Sequence, residues 1–298
     1  MRIDAHHHFW TRSHGFYEWL TPDLAALNHD FKPTDLAPAL TVCQVEATVL
    51  VQAAPYAQET DILLAQAAQT NFVKAVVGWA DMESATFAQE IERLRAHPLF
   101  KGVRPMVQDI EDANWLTKPI LTPAFECLSE KGLVFEALVR PPQWKALLEC
   151  VKSHPTLSIV LDHAAKPAIN NGLNGDGGFS DWAPMIDQLA ANKHVSCKLS
   201  GLLTEALPGA GLGDIKPYLD HLYASFGPDR LMWGSDWPVL NMNGEYTAWI
   251  DMMESWLEDK PADARTKIWA TNAARQYDIA VSPNNQHSKN QSSEVPSW

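Results

Sequence analysis

Three histidines, an aspartate and several cations stand where the apolar runs of this chain end. His6 and His8 close the run Arg2–His8, two positions apart. Residues i and i+2 of a strand share a face, so two imidazoles converge at one strand end. That is half of a metal site or an acid/base pair. The bland alternatives are a chance cluster on a solvated loop or an affinity-tag remnant, though a tag is longer and has no Ile3-Asp4 lead-in. Further on, Gln52, Arg104, Arg140, Asp162-His163, Lys198 and Asp236 occupy equivalent run ends. So many ionisable groups on one rim must satisfy one another or meet water, and a reactive site meets that need.

The elements that must position these groups are short apolar, β-branched runs alternating with helical stretches. The runs are Arg2–His8, Ala47–Ala53, Lys74–Ala80, Lys101–Met106, Leu133–Arg140, Leu157–His163, Val195–Ser200 and Leu231–Asp236. Helix-like segments lie between them: Glu59–Thr70, Ala85–Ala96, Pro123–Lys131, Gln143–Ser153, Trp182–Asn192, Ile215–Phe226 and Tyr246–Leu257. His97-Pro98 and His154-Pro155 are stops, because the residue before proline resists helix. Continuous apolar strands alternating with helices predict a parallel sheet covered by helices. Eight such units fit an α/β (β/α)8 barrel, whose active site lies at the C-terminal strand ends. An open doubly wound sheet is the runner-up, but no Gly-x-Gly-x-x-Gly follows the first strand.

The barrel is expected over residues 1–280 as a single domain, with a polar tail over 281–298 anchored by Pro296-Ser297-Trp298. Thr21–Pro38 reads as an irregular lid, and Asn170–Gly178 as a flexible loop.

Composition narrows the function classes. The chain has 298 residues, 46% of them hydrophobic, enough for one large core. A formal charge of −13 argues against nucleic acid and anionic membranes as partners. No apolar run is long enough to span a bilayer and no signal peptide is expected, so the cytoplasm is the expected location. Cys43, Cys127, Cys150 and Cys197 are widely spaced and read as buried reduced thiols. A small molecule is the expected partner, and the composition is compatible with a homo-oligomer.

The motifs resemble those of the amidohydrolase superfamily, and within it the sugar-lactonase branch of the amidohydrolase 2 family. The resemblance rests on Asp4-Ala-His-His-His-Phe-Trp10, Leu50-Val-Gln-Ala53 with Glu59-Thr60, Gly102-Val-Arg104, Leu138-Val-Arg-Pro141 and Leu161-Asp-His163 with Lys166-Pro167. It continues through Lys198-Leu-Ser-Gly201, Gly227-Pro-Asp-Arg-Leu231, Gly234-Ser-Asp-Trp-Pro238 and Thr271-Asn-Ala-Ala-Arg275. It covers roughly residues 1–280. It implies that His6 and His8, with Asp236, form a metal-ligand set, that His163 is the sixth-strand histidine, and that Asp236 is the general base. Strand four offers no bridging lysine and strand five no histidine; Glu136 is the only ionisable residue before Arg140. That pattern implies one divalent metal, Zn or Mn, or metal-independent work.

The implied reaction is hydrolysis of a sugar lactone such as L-fucono-1,5-lactone or L-rhamnono-lactone. Asp236 would take the proton of the attacking water. Bound metal would acidify that water; without it, His163, His6 or Lys198 would donate to the oxyanion. Arg104 and Arg140 would hold substrate oxygens, or else pair with local acids. Trp10, Trp79 and Trp237 would stack on a sugar face, or else pack the core. Two arginines suit a neutral polyhydroxy lactone better than a dicarboxylate one. The rivals are a metal-dependent decarboxylase on the same barrel, a dicarboxylate-lactone hydrolase and a non-catalytic barrel.

Overall fold

The structure, a computed structural model, describes residues 1–280; the expected tail and its Pro296–Trp298 anchor lie outside the described residues. All eight expected strands form: β1 Ile3–His7, β2 Ala47–Val51, β3 Val73–Gly78, β4 Phe100–Val103, β5 Val134–Ala137, β6 Ile159–Leu161, β7 Val195–Leu199 and β8 Leu231–Trp233. They pair in parallel, in chain order. The ring closes at its mouth, where His7 bridges Trp237, the His8 N–H donates to Trp237 O at 2.7 Å, and the Asp236 N–H donates to His6 O at 2.8 Å. Gly234 lies at this seam because a Cβ there would stand 2.9 Å from that of His6.

Helices return the chain on the outside: α1 Pro33–Val42, α2 Ala57–Ala68, α3 Phe87–Arg95, α4 Thr122–Glu130, α5 Trp144–Ser153, α6 Phe179–Ala190, α7 Leu212–Phe226 and α8 Tyr246–Leu257. Their buried stripes follow the helical period; α5 buries Ala146, Leu147, Cys150 and Val151. Helix α1 corrects the expectation of an irregular Thr21–Pro38. Pro33 sits in the first turn, where its missing N–H is harmless, and Asp35 accepts the Lys32 N–H at 2.7 Å.

Two apolar layers result. One lies between sheet and helices. The other fills the barrel with Ile3, Ala5, Val49, Val77, Val134, Val160 and Met232. It is plugged from below by Ala270, Ala273 and Tyr277, which belong to three short helical pieces over Ala262–Gln276 and the turn after them. All four cysteines are buried and free. Among the described residues no helix is long and apolar enough to cross a membrane.

Candidate active site

A break in strand alternation aims the first-strand histidines. Ile3 and Ala5 face the barrel interior with Val49 and Val51, while Asp4 turns outward to Ser235 and Tyr246. Plain alternation would send His7 inward and His6 and His8 out. Instead the pairing with β2 slips, from Asp4 opposite Thr48 to His7 opposite Leu50, so β1 carries an extra residue. This bulge puts His7 outside, against the Thr48 hydroxyl at 2.8 Å, and turns His6 and His8 into the barrel.

Their ring atoms meet Asp236. His6 Nε2 lies 3.1 Å from His8 Nε2, and Asp236 Oδ1 lies 3.3 Å from His8 Nε2 and 3.7 Å from His6 Nε2. His8 Nδ1 lies 2.8 Å from Val51 O; a carbonyl only accepts, so Nδ1 carries the proton and Nε2 presents its lone pair inward. Burial holds His6, His8 and His163 below the usual imidazole range, so they are neutral near pH 7. Burial opposes ionisation of Asp236, but His163, His8 and Lys166 outweigh it and hold the carboxyl below its ordinary range.

Beneath His6 lies a buried ionic cluster. Lys198 Nζ is 2.7 Å from Glu136 Oε1, 3.2 Å from Asp162 Oδ1 and 3.1 Å from His6 Nδ1. Asp162 also meets Arg104 at 3.4 Å, and the Tyr277 hydroxyl donates to Glu136 at 2.5 Å. Burial pushes Glu136 up to about 7, helped by the Asp162 charge. Burial also works against the charge on Asp162, yet Lys198, His6 and Arg104 hold it well below the carboxylate range. Lys198 is fully buried and does not line the cavity. The expected donation to an oxyanion does not fit this place: Lys198 lies outside the cavity lining and is held by Glu136 and Asp162 beneath His6.

His163 follows β6 on an unusual backbone. His163, Ala164, Ala165 and Lys166 have φ of 51°, 53°, 60° and 50°, four successive left-handed residues none of which is glycine. That hand costs about 1–2 kcal/mol per residue, so surrounding structure must hold it. The Trp182 indole N–H donates to Ala164 O at 2.7 Å and that of Trp144 to Ala165 O at 2.8 Å. Ser200 Oγ lies 2.9 Å from His163 Nδ1, and His163 Nε2 is 3.7 Å from Asp236 Oδ1. Gly201 gives the ring its room, since a Cβ there would fall 2.6 Å from it.

Above these groups opens a cavity of about 610 Å³. His8, His163, Asp236, Arg104 and Arg140 line it, as their positions at strand ends led us to expect. Trp10 and Trp237 do not line it. Both are buried and pack edge-on against Phe31. Trp79 is also absent from the lining; the aromatic residue that reaches the cavity is Trp19, whose indole donates to Ala53 O at 2.9 Å. Lys166, Asn170, Asn171, Thr204 and Glu205 join the wall from the loops after β6 and β7. Gln52 ties strand tops together instead, donating to Arg104 O at 2.5 Å while Arg104 donates back to Gln52 O.

The donors fit a divalent metal. Ligands about 2.0–2.2 Å from a tetrahedral zinc stand roughly 3.3–3.6 Å from one another. His6 Nε2, His8 Nε2 and Asp236 Oδ1 are separated by 3.1, 3.3 and 3.7 Å. His6, His163 and Asp236 also bring three donor atoms within 4.8 Å.

Comparison with known proteins shows the family. The chain is 40% identical to an L-fucono-1,5-lactonase of Burkholderia ambifaria, over 97% of this chain and 99% of that protein. It is 34% identical to an L-fucono-1,5-lactonase of Burkholderia multivorans, over 93% and 96%. A crystal structure of an amidohydrolase from Burkholderia multivorans with bound zinc superposes with a TM-score of 0.88 at 33% identity, covering 94% of this chain and all of the other. The sequence profile of a family described as Amidohydrolase matches residues 3–279, and the chain belongs to that family.

Proposed function

We propose that this protein hydrolyses a neutral aldonolactone, L-fucono-1,5-lactone being the first choice, to the open aldonic acid. The observation that carries the reading is the near full-length likeness to L-fucono-1,5-lactonases. The cation balance of the cavity supports a neutral substrate. Of its lining cations, Arg104 faces Asp162 and Lys166 faces Glu205 at 3.1 Å; only Arg140 has no carboxylate partner among the described residues. A dicarboxylate would need more free cations.

Asp236 is the group suited to activate water. It reaches the cavity, is ionised, and has an oxygen among three neutral imidazoles. It takes a water proton as the water oxygen bonds to the lactone carbonyl carbon. Arg104 and His163, both lining the cavity, are the donors placed to meet the carbonyl oxygen as it gains charge. When the ring C–O bond breaks, Asp236 returns its proton to the departing alkoxide, which balances the hydrolysis. His6, His8 and Asp236 would hold a divalent metal, which when bound acidifies water and polarises the carbonyl. The decarboxylase alternative is weaker, because it calls for a histidine on β5, where Glu136 is committed to Lys198 and Tyr277.

A panel of lactones read by proton release tests the proposal. L-Fucono-1,5-lactone and L-rhamnono-lactone should be opened far faster than their spontaneous hydrolysis. Preference for a muconolactone or pyrone dicarboxylate, or carbon dioxide release from an aromatic acid, would overturn it.

A further inference from the structure

Two buried tryptophans that touch neither substrate space nor metal donors have a bearing on the chemistry. The sequence His163-Ala-Ala-Lys166 would ordinarily continue as right-handed helix, for which alanine is the best former. Here all four residues are left-handed, and the Lys166 N–H donates to His163 O at 2.8 Å, closing a single tight turn. In such a three-residue turn the side chains at i and i+3 eclipse. His163 and Lys166 therefore point the same way, and both line the cavity. Ala164 and Ala165 turn to the opposite side and are fully buried.

The outward pull on the two middle carbonyls depends on this hand. Ala164 O accepts the Trp182 indole N–H and Ala165 O that of Trp144, one from the start of α6 and the other from the start of α5. Reversing the hand would swing both carbonyls away from these donors and leave buried polar groups unpaired. We propose that Trp144 and Trp182 are positioning residues for the reaction. By fixing the left-handed turn they hold His163 beside Asp236 and Lys166 on the cavity wall.

The test uses Trp→Phe, which keeps the ring and removes the donor, and glycine, which adopts the left-handed region freely. It rests on lactone hydrolysis as the readout, with structure as a second one. In W144F and W182F, kcat for L-fucono-1,5-lactone should fall 10-fold or more while KM changes less than threefold. The double variant W144F/W182F should lose more. Adding A164G to W182F should restore part of the lost kcat, because glycine stabilises the turn without the indole. A merely structural role predicts a lower Tm with kcat per folded molecule unchanged and no rescue by A164G; either result overturns the proposal. If the wild-type protein opens no lactone, the functional reading has failed and not this one. A crystal structure of W144F/W182F then decides, with residues 163–166 leaving the left-handed region expected and an unchanged turn fatal.

Discussion

Lys198 Nζ lies 3.1 Å from Nδ1 of His6, at the ring edge opposite the Nε2 atom that meets His8. One ammonium thus neutralises Glu136 and Asp162, and Asp162 Oδ1, 3.3 Å from the same Nδ1, accepts its N–H and leaves the Nε2 lone pair facing the site. Replacing Lys198 with methionine leaves Glu136 buried without its cation and Asp162 with Arg104 alone. Breaking a buried ion pair in this way typically costs about 3–5 kcal/mol. K198M should show that loss in urea unfolding, and K198M/E136Q should recover part of it. Equal stability of K198M and wild type would remove Lys198 from its supporting role.

Asp236→Asn keeps the shape of the side chain but cannot take a proton from water near neutrality. Loss of a general base lowers rates by about 10²–10⁴-fold. We expect D236N to fold with a Tm near that of wild type and to lose turnover by at least that factor. Near-normal lactone hydrolysis by D236N would show that another group activates the water.

Zinc should stabilise the metal-free protein, because a ligand bound only by the native state raises its apparent stability. After chelation and dialysis, added zinc should raise the Tm of wild type, and elemental analysis should find a single ion per chain. H6A/H8A should show neither effect. A Tm that rises equally in both proteins would place the metal elsewhere.

Stability of the metal-free protein should peak near pH 6.5. Below the unfolded histidine pKa of 6.5, the unfolded chain binds protons that His6, His7, His8 and His163 refuse in the fold, so stability falls with pH. Glu59 and Glu136 act with the opposite sign. Burial raises both to about 7 from an ordinary 4.5, so their contribution is complete at low pH and is lost as pH rises through 7. Asp4, raised to about 6 by burial, partly offsets the histidines on the acid side. Urea midpoints measured between pH 4.5 and 8.5 check this; a monotonic rise across the range would contradict the assigned shifts.

The cavity wall has one continuous apolar sector. Loops after β1 and β8, neighbours across the closing seam, supply Trp19, Leu24, Val239 and Met242, whereas loops after β4 to β7 mix Gln108, Arg140, Lys166, Asn170 and Thr204 with Met106, Leu138, Pro141 and Ala168. A 6-deoxy sugar suits this arrangement, its methyl group facing the apolar sector. We expect kcat/KM for L-fucono-1,5-lactone to exceed that for L-galactono-lactone, which has a hydroxyl at that carbon. M242Q should narrow the ratio, since a single methyl group is worth about 1–3 kcal/mol in an apolar pocket. An unchanged ratio would mean that the methyl group lies elsewhere.

The eight strands were legible because each is a short apolar run between helical segments, and their ends located His8, Arg104, Arg140, His163 and Asp236 on the cavity. Spacing alone placed His6 and His8 on one side of a strand; it could not say which side, because the bulge that turns them inward depends on pairing with β2. Tryptophan type carried no information on depth, so Trp10 and Trp237 lie in the core while Trp19 reaches the cavity. Ala164-Ala165 concealed the left-handed turn, since its hand is imposed by indoles from other elements. Helix α1 was hidden by Pro33 and Pro38, residues that ordinarily mark irregular chain.

The seam between β1 and β8 bears on when activity can arise during synthesis. His8 and Asp236 are 228 positions apart, and the bridge from His7 to Trp237 joins them only after the eighth strand docks. A nascent chain that has emerged through β7 holds its imidazoles but lacks Asp236, the carboxylate we propose to activate water. Such non-local closure is also the slow kind of folding event. On that reading, chains terminated before the eighth strand should be inert, and hydrolytic competence would mark a polypeptide translated through that strand.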